Sequence, residues 1–425
     1  MNFLVFAGGP FALLGLGMPI FLVLIAATLA GVLLRGDVPL QAVHTAMFGA
    51  LDSFALLAVP LFILAGDLMA QGGIARRLIE LALSIVGGVR GSLALATIAS
   101  ASVFGAMSGS SVACVAAIGK LTLPSLEKNG YGRTFGVSLI TATGVIDVII
   151  PPSIPMIIYA IAAQVSVTKL FTAGIVPGIL IALCLAGYVM VWARIQMIPL
   201  GEPARWVNIW ATLKEAFWAL MAPVVILGGI YGGIFTPTEA AGVACMYAVV
   251  ISVFVYKELD WAGVWKILLE STVLIAQIMI IVSAAGAYAW LITTSGIAQS
   301  LVSTIQGIGM STWLLLLTIN VLLLFVGSML EPPAAILLLT PLLMPVVTAA
   351  GIDPIHFGLI VTVNLAIGLF LPPFGLNLFA SHALFGTPLP QLYRGVVPFL
   401  FIYIAVLLLL TYVPAITLLP LKWLG

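Results

Sequence analysis

The sequence has 425 residues, of which 63 % are hydrophobic and 7 % charged, and its formal net charge is +1. A chain this apolar cannot hide its surface in a water-soluble core, and a near-neutral balance gives no argument for nucleic-acid binding. The three cysteines, Cys114, Cys184 and Cys245, stand in apolar context without pairing or metal-ligand spacing, so they read as small buried residues.

The composition predicts an all-α polytopic membrane protein of about ten to twelve spans; no alternating strands suggest a β-barrel. Residues 11–34 carry no charge before Arg35, which is long enough for a spanning helix. Lacking a basic start and a small-residue cleavage site, this segment reads as a retained span and not as a signal peptide. A bent segment follows over residues 42–71, with Pro60, and then a short amphipathic piece over 74–89, flanked by Arg76, Arg77 and Arg90. At about 21 Å that piece is too short to span and suits the membrane surface.

Residues 92–126 read as a re-entrant hairpin around Ser108-Gly109-Ser110-Ser111. Arg90 precedes its first arm, and Lys120, Glu127, Lys128 and Arg133 lie in or after its second. Basic residues at both ends place both on one side, the cytoplasm. A helix over about 134–165 is broken at Pro151-Pro152-Ser153. Residues 194–216 combine Arg194, Glu202, Arg205, Lys214 and Glu215 with Trp206 and Trp210. They predict an amphipathic connector between a first half (1–193) and a second (217–425); the alternative is a polar loop with aromatic anchors.

The second half repeats the order: a span over 237–256, a bent segment over 262–294, a short piece over 297–309, a hairpin over about 313–347 and a broken helix over about 355–386. The second hairpin carries Gly327, Ser328 and Glu331, and its broken helix carries Pro372, Pro373, Gly375 and Asn377. Ser108 precedes Pro151 by 43 positions and Glu331 precedes Pro372 by 41, while Gly73 and Gly296 each open a Gly-Ile-Ala triplet 35 positions before Ser108 and Glu331. An odd number of crossings per half would invert the second copy, as in secondary carriers, where paired interruptions in two halves mark the binding site.

The chemistry follows from the breaks. Each Pro-Pro pair removes two N–H donors and frees upstream carbonyls. Irregular backbone at membrane depth survives only where protein or a water-filled cavity satisfies it. Freed carbonyls with Ser and Asn oxygens form a hard site suited to Na⁺, and the helix N-termini after the breaks offer N–H groups to an anion. A lone proline kink is usually structural; four breaks in duplicated order favour binding. Asp147 and Glu331 read as the most deeply buried acids and as functional candidates, Asp147 as a coupling acid. Thr236-Pro237-Thr238-Glu239 is a capping box. Asp353-Pro354 starts a helix, and His356 and His382 read as interfacial.

Residues 104–119, Ile149-Ile-Pro-Pro-Ser-Ile-Pro-Met-Ile-Ile-Tyr159, Gly233-Ile-Phe-Thr-Pro-Thr-Glu-Ala240 and Leu371-Pro-Pro-Phe-Gly-Leu-Asn-Leu378 resemble the large membrane subunit of tripartite ATP-independent periplasmic (TRAP) transporters. The resemblance covers nearly the whole chain. It implies a multi-pass protein of the bacterial inner membrane, an elevator-type carrier usually driven by Na⁺. It also implies a small Q-type membrane subunit as partner and a periplasmic binding protein that delivers an organic anion, such as a C4-dicarboxylate or sialic acid. By position, Ser108, Gly109, Ser110 and Ser111 would face Pro151, Pro152 and Ser153 at one ion site. Gly327, Ser328 and Glu331 would face the break with Pro372, Gly375 and Asn377 at another, with substrate between the tips. Two positions depart from the family pattern: Cys114, where relatives often have Asp or Thr, and Asp147, where they usually have Gly.

Other classes remain open at this point. A stand-alone organic-anion symporter of related architecture needs no binding protein. An intramembrane enzyme lacks support, since no His-Glu-x-x-His motif occurs, and no Gly-x-x-x-x-Gly-Lys-Ser/Thr loop provides for ATP.

Overall fold

The structure is a computed structural model that describes residues 9–36, 39–201, 203 and 205–424. Residues 1–8 and 425, at the ends of the two expected halves, and Glu202 of the connector lie outside the described residues. Among the described residues the chain is helical throughout; its one pairing of extended backbone is an isolated bridge between Arg90 and Leu200. Among the described residues eight helices are long and apolar enough to cross a membrane, or nine with the bent pair Arg133–Ile149 and Ile154–Ala163, which meet at 41°. That is fewer than the ten to twelve expected, because several apolar segments are broken into shorter helices, including Ile20–Leu34, Ser92–Ser108, Pro354–Gly368 and Leu376–Phe385.

The first segment shows the cause. Residues 11–34 do not form one helix: Gly9–Gly15 and Ile20–Arg35 are separated by Leu16-Gly17-Met18-Pro19, with Gly17 at φ 80°. Glycine takes the left-handed region without a steric penalty, and proline at the N-cap starts the next helix. The segment after it is bent as expected, running as Leu40–Leu51, a tight turn and Ala58–Gln71. Its counterpart in the second half is a single helix, Trp261–Thr294, which contains no proline.

The two short amphipathic pieces are equal in length, Ile74–Ile85 and Ile297–Ile308 at 12 residues each. Each starts on a left-handed glycine, Gly73 at φ 81° and Gly296 at φ 70°. The first piece is fastened to the second half: Arg76 and Arg77 both reach Glu258, and the Arg77 guanidinium lies 3.6 Å from the centre of the Tyr256 ring.

The expected connector helix is not separate. Val167–Ile195 ends at an irregular stretch containing Pro199, Gly201 and Pro203, and Trp206 opens a helix that continues to Tyr231. After Arg205 the sequence offers only Pro223 as a breaker, deep in an apolar run, so the charged turn with Lys214 and Glu215 becomes the first part of a 26-residue spanning helix.

Helices Ala58–Gln71, Pro237–Val250 and Trp261–Thr294 pack together, and the last also holds Ile20–Arg35 and Leu40–Leu51. Thr236 caps Pro237–Val250 in a full capping box with Glu239. Of the segments expected as hairpin arms and broken helices, Ser92–Ser108, Ser111–Lys128 and Ile154–Ala163 lie against Ala58–Gln71 and Pro332–Ala349 against Trp261–Thr294, while Thr312–Met329 packs on Pro354–Gly368. Glycine sets how closely the second hairpin meets its broken helix: a Cβ at Gly368 would stand 2.3 Å from the Gly327 carbonyl carbon.

Gly368→Ala therefore overpacks this crossing. We expect it to destabilise the protein by about 1–3 kcal/mol, read as a lower melting temperature in detergent, while Gly187→Ala, whose Cβ meets nothing within 4 Å, leaves the melting temperature unchanged.

Candidate ion and substrate site

The first hairpin turns in two residues. Ser92–Ser108 ends on Gly109, left-handed at φ 65°, and Ser110 is the extended N-cap of Ser111–Lys128. Glycine is needed at position 109 for its dihedral and for space, since a Cβ there would lie 2.9 Å from the Pro152 carbonyl oxygen. The tip thus rests on the carbonyl of the Pro-Pro break, where the sequence expects it. Gly66 supports the tip from behind, with a Cβ position 3.0 Å from Ser108 Cα. Sequence reasoning missed Gly66; its signal was a glycine inside an apolar helix, which marks close approach.

The broken helix runs Arg133–Thr143, Ile146–Ile149 and Ile154–Ala163. Ser153 is the N-cap of the last piece: its hydroxyl accepts from Met156 N–H at 3.4 Å and donates to the Val148 carbonyl. The latter bond uses one of the carbonyls that the break would free. Asp147 is fully buried, and its Oδ1 accepts the Gly109 N–H at 3.1 Å.

In the second half Pro354–Gly368 breaks before Leu376–Phe385. Both Pro-Pro bonds, Pro151-Pro152 and Pro372-Pro373, are cis. Within the break Gly375 N–H donates to the Leu371 carbonyl at 3.0 Å, and Asn377 N–H to Leu369 at 2.8 Å. Gly327 packs on Leu365 and Gly368, just before the break. The Ser328 hydroxyl donates within its own helix, to Phe325 at 2.8 Å.

Two expected placements change. Asn377 is bound at the first tip: its Oδ1 accepts from Ser111 Oγ at 2.9 Å in a buried bond. Beside it Thr141 and Ser381 share a 2.7 Å hydrogen bond. The reason is the packing of Leu376–Phe385 on Ser111–Lys128. Glu331 is not deeply buried. It stands at the N-cap of Pro332–Ala349, makes no capping bond, and faces a cleft of about 740 Å³ lined also by Leu14, Gln277, Ile281 and Phe325. The two prolines that follow it carry no N–H to donate to its side chain.

Other candidates resolve simply. His356 is buried, with Nδ1 2.8 Å from Thr417 Oγ1, and is not interfacial. Asp353 caps its helix through Ile355 and His356 N–H. Asp67 accepts from Ser271 Oγ at 2.6 Å. A buried chain unforeseen from sequence joins Asn364 to Asn320 at 2.7 Å and Asn320 to Thr411 at 3.1 Å; amides within otherwise apolar helices are its signal. Among the described residues no three His, Cys, Asp or Glu side chains cluster as a metal site. Residues 92–119, 134–168 and 312–393, which form both tips and both breaks, contain no Lys or Arg. Within these ranges the groups that can meet an anion are N–H groups, hydroxyls, side-chain amides and helix N-termini.

The family profile "Tripartite ATP-independent periplasmic transporter, DctM component" matches residues 8–416. The chain is 43 % identical over 380 residues to the C4-dicarboxylate TRAP transporter large permease protein DctM of Pseudomonas aeruginosa, covering 89 % of each. It is 42 % identical to the isethionate TRAP transporter permease protein DctMQ of Oleidesulfovibrio alaskensis, covering 96 % of this chain and 65 % of that one. Among solved structures it resembles the Alcanivorax borkumensis YdaH transporter, with a TM-score of 0.64 at 16 % identity, covering 98 % of this chain and all of that one; this likeness concerns the fold.

Removing either partner of the Ser111–Asn377 bond leaves a buried polar atom unsatisfied. We expect Ser111→Ala and Asn377→Ala each to destabilise by about 1–3 kcal/mol, and the double variant by less than the sum. Thermal melts of the four proteins measure the coupling.

Proposed function

The chain belongs to the DctM component family of tripartite ATP-independent periplasmic transporters, and from that membership we propose that it is the translocation subunit of a Na⁺-coupled importer of small organic acids. As a permease of this family it is not an enzyme, and it is a multi-pass protein of the bacterial inner membrane. Its partners in this reading are a periplasmic binding protein, which hands over the substrate, and a small Q-type membrane subunit. The name and greater length of the DctMQ relative support the second partner.

The observation that carries the proposal is the meeting of both halves at one buried place. The first tip rests on the Pro152 carbonyl, and Asn377 of the second half reaches Ser111 of that tip. In this reading Ser108, Gly109, Ser110 and Ser111 with Pro151 and Ser153 supply oxygens for one Na⁺. Gly327, Ser328 and Glu331 with Pro372 and Gly375 frame the second ion, Asn377 joins the second break to the first tip through Ser111, and the substrate lies between. Hard oxygen donors suit the hard cation.

The missing Lys and Arg give the coupling its physical sense. An organic acid entering between the tips finds no Lys or Arg within residues 92–119, 134–168 and 312–393. Its charge is met by helix N-termini and by Na⁺ already bound, so Na⁺ loading precedes and enables substrate binding. The two hairpins with their broken helices then move as one body past the helices around Trp261–Thr294, in an elevator motion between inverted repeats. Support for this comes from the repeated element order and from the carrier-like fold.

The test is uptake of a radiolabelled C4-dicarboxylate, with other small organic acids alongside, into proteoliposomes holding this chain, its small subunit and the binding protein. We expect accumulation that needs both an inward Na⁺ gradient and the binding protein. Uptake with Na⁺ but without the binding protein would replace the tripartite reading with the stand-alone symporter. Uptake driven by a proton gradient alone would overturn Na⁺ coupling.

A further inference from the structure

Asp147 stands four residues before Pro151, and Gly368 four residues before Pro372, so the two occupy matching places in the repeated halves. Each lies where its broken helix crosses a hairpin glycine, Gly105 in the first half and Gly327 in the second. In the second half the crossing is glycine on glycine. In the first, Asp147 fills it: a Cβ on Gly105 would stand 2.7 Å from Asp147 Cα and 3.1 Å from its Oδ1. The bare Gly105 makes room for a carboxylate directly beneath the first tip.

That carboxylate is fully buried. Its Oδ1 accepts the Gly109 N–H at 3.1 Å, and the Ser108 side chain and Ser110 N–H lie within its reach. Its Oδ2 has no hydrogen-bond partner. Residues 92–119 and 134–168, which hold the first tip and the first break, contain no Lys or Arg, and the buried neighbour Cys114 brings no positive charge. A buried carboxylate is retained when a cation or donors complete its shell. Donors complete one oxygen here; the other is free. The Pro152 carbonyl lies against the same tip.

We propose that Asp147 is a direct ligand, through its free Oδ2, of a monovalent cation held at the first hairpin tip beside Ser108 and the Pro152 carbonyl. This inference rests on the Na⁺-coupled reading and adds to it a residue with a fixed charge. The carboxylate draws the cation into the first site in the absence of substrate. The matching place in the second half, Gly368, has no such charge, so the two halves differ in how strongly they hold an ion.

The experiment measures the Na⁺-induced rise in melting temperature of the purified permease, titrated with NaCl against choline chloride, for wild type, Asp147→Asn and Asp147→Gly. The first variant keeps the shape, and the second restores the glycine of the other half. The expected result is a Na⁺ midpoint raised about tenfold or more in both variants. In reconstituted uptake, Na⁺ half-saturation rises alongside, while half-saturation for substrate at saturating Na⁺ is unchanged; a merely structural residue would not separate the two. Variants with the wild-type Na⁺ midpoint overturn the inference alone. A wild type with neither a Na⁺ shift nor Na⁺-dependent uptake overturns the Na⁺ reading itself. Infrared difference spectra of the wild type, labelled with isotopic aspartate, ask the same question without a substitution. A Na⁺-induced shift of an aspartate carboxylate band is expected, and its absence overturns the proposal.

Discussion

Backbone hydrogen bonding at membrane depth governs this molecule. A helix satisfies its own N–H and C=O groups, and any interruption within the apolar layer must find partners in the protein or in a ligand. The chain interrupts itself at the expected hairpin tips and at two Pro-Pro breaks, and the packing answers the first tip and both breaks. Gly109 rests on the Pro152 carbonyl, Ser153 takes up the Val148 carbonyl, and the Asn377 N–H takes up that of Leu369. What these contacts leave over is a set of oxygens and helix N-termini around the tips and breaks, which the proposed reading assigns to an ion and an anion.

Close approach in this region is a matter of missing side chains. Gly66, Gly105, Gly109, Gly327 and Gly368 each stand where a Cβ would press on a neighbouring tip or break. Small residues bring helices together where water supplies no hydrophobic drive between them. The outer attachments use different forces: the capping box at Thr236 and Glu239, the ion pairs of Glu258 with Arg76 and Arg77, and the Arg77–Tyr256 stack.

Much of this was legible in the sequence because its signals are local. Gly73 and Gly296 announce short helices, Thr236 and Asp353 announce helix starts, and paired prolines announce the breaks. The approach of the first tip to the first break is what the family resemblance implies. What stayed illegible depends on which helix lies beside which. Asn377 reads as part of the second site by its place in the chain, yet packing carries it to Ser111. Glu331 reads as buried because its neighbours are apolar, yet it opens onto a cleft. His356 reads as interfacial, yet the C-terminal helix folds over it and supplies Thr417. The tryptophans and charges after Arg205 read as a surface connector, but nothing stops their helix from running on to Tyr231.

The account's central claim is that the interrupted backbone forms a cation site that fills without substrate. Calorimetric titration of Na⁺ into the purified permease, in choline-based buffer with no organic acid present, tests it most directly. The account predicts saturable binding that Ser110→Ala weakens. Heats indistinguishable from dilution, in a protein whose melting curve shows it folded, would contradict it.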